Sequence, residues 1–209
     1  MGKQALQRGL ADLDLSSDAS QEDNLLHYID LLDKWNKVYN LTAINGKQKM
    51  LAYHVLDSLS IAQQIPDKAH CLDVGSGAGL PGIPLAILLP ETQWVLLDSN
   101  GKKTRFIQQV IASCRLSNVK VVQSRVEDYH AESHFDVIVS RAYAAIADFV
   151  DSVDHLWQSG TRLMSMKTEL TAEERQALDD TQFDLEIMPL QVPGISESRS
   201  LVTIKRQES

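Results

Sequence analysis

One segment constrains this chain more than any other: Cys71-Leu72-Asp73-Val74-Gly75-Ser76-Gly77-Ala78-Gly79-Leu80-Pro81-Gly82. A short apolar run ends in a carboxylate and breaks into alternating glycines. An apolar helical stretch follows, Ile83 to Leu89, stopped by Pro90. The pattern reads as strand, glycine turn, helix. Glycine lacks a Cβ and tolerates positive φ, so a ligand can lie against bare backbone there. The spacing departs from the dinucleotide fingerprint G-x-G-x-x-G, which puts its third glycine at position 80, where this chain has Leu80. Trp94-Val95-Leu96-Leu97-Asp98 reads as the next buried strand, its Asp98 nineteen residues past Gly79. Asp73 and Asp98 thus end two apolar strands at the sheet edge where open α/β folds bind ligands. The plainer alternative is that both carboxylates only cap turns.

The rest of the chain alternates in the same way. Strands are expected near 70–74, 93–98, 119–123, 135–140, 161–166, 183–191 and 200–205, with helices near 82–89, 101–114, 144–157 and 171–179. Alternation favours a parallel sheet with helices on both faces. The last two strands are close enough to pair as a hairpin, which sets one antiparallel strand into the sheet. Before this part, Gln21 to Val38 carries a helical stripe (Leu25, Leu26, Ile29, Leu32, Trp35), with Ser20 and Asp23 as its start signal. Met50 to Ile65 is a second expected helix. The domain reading is a helical extension over 1–66 packed on a core over 67–209, with the first few and last three residues frayed.

Composition excludes several classes. At 209 residues, 44% hydrophobic and 23% charged, the chain suits one globular unit. It has no apolar run of the roughly 20 residues a membrane span needs. Its N-terminus lacks a signal-peptide core. Cys71 and Cys114 do not form a disulfide framework and read as reduced cytoplasmic thiols. Scattered histidines give no metal spacing. Monomer is the default. The net charge of −8 argues against a generic nucleic-acid binder. Yet Lys102, Lys103 and Arg105 cluster after Asp98, and Lys34, Lys37, Lys47 and Lys49 gather around Asn40. These are either a local RNA patch or solvated helix faces.

The glycine turn with its acidic strand end resembles motif I of class I S-adenosylmethionine (SAM) methyltransferases. A diphosphate belongs on a helix N-terminus; SAM has none, and a strand-end carboxylate suits its ammonium group. Further segments resemble the RsmG family, also called GidB, of small-subunit ribosomal RNA methyltransferases. They are Lys34-Trp35-Asn36-Lys37-Val38-Tyr39-Asn40-Leu41-Thr42, His54-Val55-Leu56-Asp57-Ser58, the turn extended to Ile83-Pro84, Leu97-Asp98-Ser99-Asn100-Gly101-Lys102-Lys103, Gln123-Ser124-Arg125-Val126-Glu127, and Phe135-Asp136-Val137-Ile138-Val139-Ser140-Arg141-Ala142. The match runs in order over nearly the whole chain. Thr168 and Ser200 depart from the family, which commonly has glycine and often histidine there.

The resemblance implies a Rossmann-like α/β fold with a mostly parallel seven-stranded sheet and methyl transfer from SAM to guanine N7 in the decoding-region loop of 16S rRNA. The substrate is then 16S rRNA or the small ribosomal subunit, without metal or membrane. Gly75, Gly77 and Gly79 give the cofactor backbone approach, and Leu80 lines its pocket. Asp73 holds the ammonium, directly or through water, and Asp98 the ribose. Val126 and Glu127 match the adenine-binding pair. Arg141 binds the SAM carboxylate or positions the guanine; its alternative is a surface ion pair with Asp136 or Asp148. On the substrate side stand Asn40, His54 and Asp57, with Lys102, Lys103, Arg105, Lys167 and Arg199 for phosphates. Trp35 and Tyr39 are expected to pack helices onto the sheet rather than stack on a base. The competing readings are a SAM methyltransferase acting on a protein or small molecule, a nicotinamide oxidoreductase, and a noncatalytic scaffold.

Overall fold

Local signals start the second helix. Asp18 accepts from the Gln21 N–H at 2.8 Å, and the Gln21 side chain accepts from the Asp18 N–H at 2.9 Å. This reciprocal capping box satisfies two N–H groups that a bare helix end leaves orphaned. The helix therefore begins before the expected Ser20–Asp23 signal. The computed structural model describes residues 2–141, 143, 145–168, 171, 174 and 183–206. Helix α1 spans Gly2–Asp12 and α2 Ala19–Tyr39. Helix α1 corrects the expectation of a frayed start. Leu6 and Leu10 are buried, and Gly9 lies so close to Leu56 that a Cβ would collide with it.

The single helix expected over Met50–Ile65 is four pieces. These are α3 (Lys47–Met50), a π-helical segment (Leu51–Leu56), α4 (Asp57–Leu59) and a 3-10 turn (Ala62–Gln64). Then come β1 (His70–Val74), α5 (Gly82–Leu88), β2 (Gln93–Asp98), α6 (Gly101–Cys114), β3 (Val119–Gln123), β4 (Val137–Ser140), α7 (Ile146–Val153), β5 (Arg162–Lys167), β6 (Phe183–Leu190) and β7 (Arg199–Arg206). The helix expected near 171–179 lies outside the described residues, apart from Thr171 and Glu174; so do the last three residues.

The seven strands form one sheet in the order β3-β2-β1-β4-β5-β7-β6. Neighbours from β3 to β5 pair parallel; β7 pairs antiparallel with both β5 and β6. The expected hairpin thus supplies the one reversed strand. Side chains alternate between two apolar layers. One joins Cys71 and Leu96 to Leu6, Leu25, Ile83 and Phe106; the other joins Leu72, Val74, Val95 and Leu97 to Phe149 and Val153 of α7. Chain order reverses between β1 and β4. Such a switch point opens a crevice at the carboxyl ends of the strands. The glycine turn follows β1, and Arg141 follows β4.

Candidate active site

The glycine turn is held by its own backbone and by both carboxylates. Gly75, Gly77 and Gly79 have φ of 70°, 60° and 86°, which favours glycine at each. The N–H groups of Gly75 and Ser76 donate to the Leu97 carbonyl at 2.8 and 3.0 Å. Gly77 N–H donates to Asp98 Oδ2 at 2.8 Å, and Asn100 N–H to Asp98 Oδ1 at 2.8 Å. Gly82 N–H donates to Asp73 Oδ2 at 2.9 Å; a Cβ on Gly82 would sit 2.8 Å from that oxygen. Tyr28 of α2 braces the turn by donating to the Ala78 carbonyl at 2.9 Å. So Asp73 and Asp98 do cap turns, as the plainer alternative held.

That role leaves one atom over. Asp73 is fully buried, and its Oδ1 has no hydrogen-bond partner. An unpaired buried carboxylate oxygen is costly. Burial raises the group to about 7, opposed by the Gly82 N–H, the Arg141 charge and the nearby Ser76 hydroxyl, whose own hydrogen bond goes to the Asp73 backbone carbonyl at 2.8 Å. A cationic or donor ligand supplies what this atom lacks. A Cβ on Gly77 would meet nothing nearer than the Gly75 carbonyl oxygen at 3.8 Å, so the glycine keeps the cradle open. These two observations fit the residues to SAM.

Across the crevice, three distant elements converge on one carboxylate. Asp57 is buried and accepts from Arg141 Nη1 at 2.9 Å and from Arg199 Nε at 3.1 Å. Its charge is thus matched by two guanidinium groups in fixed geometry. Arg141 also donates to the Tyr53 carbonyl at 3.1 Å. His54 contacts Thr42 Oγ1 through Nε2 at 2.9 Å and the Tyr53 carbonyl through Nδ1 at 3.0 Å. Burial first, and the Arg141 charge second, lower its pKa to about 4, so it is neutral at pH 7. Tyr53, His54 and the residue before Asp57 all belong to the π-helical segment. Such wider turns recur at functional sites.

Tyr53, His54, Asp57, Arg141 and Arg199 line a cavity of about 500 Å³ with Ile44, Tyr143, Met166, Lys167, Thr168, Thr171 and Glu174. A smaller one of about 180 Å³ runs along Leu41, Thr42, Gly75, Ser76, Gly77, Ala78 and Leu80. Arg141 lines both.

The expected residues distribute unevenly. Arg141 pairs with Asp57, not with Asp136 or Asp148; Asp136 instead accepts from the His70 N–H at 2.7 Å. His54, Arg141, Lys167 and Arg199 come together in the larger cavity. Lys167 is largely buried and bonded to Glu174 at 2.8 Å. Asn40 is exposed and ends α2 in the left-handed conformation, φ 51°. Val126 is buried in the α7-side layer, and Glu127 is exposed. Lys102 is exposed, Lys103 lies 3.8 Å from Asp98, and Arg105 donates to the Gly101 carbonyl at 2.9 Å. Trp35 packs on Phe106 with ring centroids 5.6 Å apart. Tyr39 does not pack as expected: it covers Trp35 at 5.1 Å and is 43% exposed. Sequence reasoning missed Tyr53, Tyr143, Met166 and Glu174 as cavity walls, because none carries a motif. Among the described residues no group of three or more metal-ligating side chains assembles, and no helix is long and apolar enough to cross a membrane.

Comparison with known proteins adds three findings. Residues 21–202 match the model of the family described as rRNA small subunit methyltransferase G. Relatives named ribosomal RNA small subunit methyltransferase G include one from Pseudomonas aeruginosa, 47% identical over 96% of this chain and 94% of its own length. Another, from Laribacter hongkongensis, is 45% identical over 97% of each. Solved structures of similar fold include the Bacillus subtilis tRNA methyltransferase TrmK (TM-score 0.60, 16% identity, 73% of this chain and 66% of that one). A putative SAM-dependent methyltransferase from Methanococcus maripaludis gives TM-score 0.58 at 16% identity, over 87% of this chain and 93% of its own.

Proposed function

The chain belongs to the rRNA small subunit methyltransferase G family, and from that membership and the crevice geometry we propose that it transfers a methyl group from SAM to N7 of a guanosine in the decoding-region loop of 16S rRNA. The observation that carries the reading is the shared wall. Arg141 lines both the cradle of the glycine turn and the larger cavity beside it. A cofactor in one and a base in the other would meet at that residue.

SAM, when bound, supplies a methyl group on a sulfonium. The protein's share is to hold, orient and exclude water. Gly75, Gly77 and Gly79 admit the cofactor to bare backbone. Asp73 Oδ1 receives the ammonium, directly or through water. Asp98, already oriented by Gly77 and Asn100, has spare lone pairs for ribose hydroxyls. Val126 and Glu127 take the adenine, as the sequence resemblance implies. Guanine N7 presents a lone pair and no proton, so the reaction needs no general base. Neutral His54, bonded through both ring nitrogens, suits that chemistry. Arg141, fixed by Asp57, positions the guanine. Alignment of this kind supplies roughly 7–11 kcal/mol of a barrier. The enzyme acts in the cytoplasm, where rRNA is its substrate.

Incubation with methyl-labelled SAM and small-subunit rRNA, naked and in particles, from cells lacking the enzyme tests the reading. Label recovered as 7-methylguanosine at a single site is expected. SAM binding with no label on any RNA would overturn it.

A further inference from the structure

Val38 and Tyr39 are the exposed large apolar side chains among the described residues, at 69% and 43%. They follow one another on the last turn of α2, just ahead of the crevice wall in the chain. Two residues on, Leu41 lines the glycine-turn cavity, followed there by Thr42. An extended chain covers at most about 3.6 Å per residue, so the Tyr39 backbone is within about 11 Å of the Leu41 and Thr42 backbone.

The ring has rigid support. Tyr39 lies on Trp35 at 5.1 Å, and Trp35 meets the buried Phe106 of α6 edge-on at 5.6 Å. Asn24 of α2 reaches the Cys114 carbonyl at the far end of α6, so the two helices run antiparallel. The last turn of α2 therefore lies beside the first turn of α6. That turn carries exposed Lys102, one helical turn before Phe106 and on its face. Lys34, also exposed, sits one turn before Val38. In a chain of net charge −8, an exposed apolar tip with exposed lysines on the adjoining turns is a local exception.

We propose that Tyr39 is a stacking platform for an unpaired RNA base close to the modified guanosine, with Lys34 and Lys102 meeting the adjoining phosphates. This rests on the rRNA reading above and extends it to a surface outside the crevice. An aromatic face takes any base, whereas the lysines contact backbone, which is how single strands are held without sequence readout. A ring already held against a neighbouring ring loses little freedom on binding. The platform holds RNA alike before and during methyl transfer.

The test compares wild type with Tyr39→Ala, Tyr39→Leu and Tyr39→Phe on 16S rRNA and on small subunits lacking the methyl group. For Tyr39→Ala and Tyr39→Leu, KM for RNA should rise on the order of 5- to 150-fold with kcat little changed. Tyr39→Phe should behave as wild type, and SAM affinity and thermal stability should hold in all three. A base near the modified guanosine should change its reactivity to base-modifying reagents in the wild-type complex and not in the Tyr39→Ala complex. Unchanged KM in Tyr39→Ala, with wild type active on rRNA, would overturn the platform and leave the rRNA reading intact. A raised KM with no Tyr39-dependent base would mean that the patch meets a ribosomal protein, and would also overturn it. Wild type inactive on every rRNA form would remove both.

Discussion

Asp73 shows how much of a candidate site can rest on one atom. Its Oδ2 is committed to Gly82, and its Oδ1 is buried without a partner. Burial raises its pKa from 3.8 to about 7. The raised value means the folded protein holds a proton that the unfolded chain has released between those limits. The stability from that proton is complete below 3.8 and is lost as pH rises through about 7. Binding of an ammonium runs the other way, because it needs the carboxylate. Affinity for S-adenosylhomocysteine, which keeps the ammonium, should therefore fall about tenfold per pH unit below about pH 7 and level off above it. Asp73→Asn should weaken binding at about pH 8 and flatten the profile. Calorimetric titration across that range decides the matter; the same slope in the variant would clear Asp73 of the role. Asp73 itself was legible, because a carboxylate ending an apolar run before glycines has few other uses. Its orphan oxygen was not, since that depends on which N–H groups the turn brings to it.

At the scale of elements, legibility followed the density of local signal. β1, β2, β3 and α6 fall where apolar runs and turn residues bound them. Helix α1 escaped notice because it has only two strongly apolar anchors, Leu6 and Leu10, amid polar residues. Its stability comes from tertiary burial, which a periodicity reading underweights. The π-helical segment escaped for another reason. Leu51, Val55 and Leu59 have the spacing of an ordinary helix, and widening a turn leaves no compositional mark. These two elements touch, through Gly9 and Leu56. Helix α1 therefore backs the segment that presents His54 and leads into Asp57. Leu6→Ala removes a fully buried side chain and should cost about 2–5 kcal/mol, read from denaturant midpoints. A midpoint equal to wild type would show that α1 is not part of the cooperative core.

For the whole molecule, the site divides by how its residues are brought together. The glycine turn is contiguous in sequence, so its chemistry could be read directly. The Asp57–Arg141–Arg199 cluster joins residues up to 142 apart in the chain. Only the strand order, with β7 reversed beside β5, brings Arg199 back to Asp57. Charge obeys the same distinction. A net charge of −8 repels RNA at long range, but screening limits that field to about 10 Å at about 0.1 M salt. Binding is then decided by the groups that meet the RNA directly. Lys103 is a poor probe of this, because it approaches Asp98 at 3.8 Å, and its removal disturbs a carboxylate that holds the glycine turn as well. Lys102 and Arg105 are exposed near the start of α6 and line neither cavity beside Arg141. The double variant Lys102→Ala, Arg105→Ala should weaken RNA binding while SAM affinity stays at the wild-type value. Every cation removed from a single-strand phosphate lowers the slope of log K against log salt by about 0.7, so the double variant should flatten it by up to about 1.4. An unchanged slope would mean that these cations are solvated in the complex and that the phosphates run elsewhere on the surface.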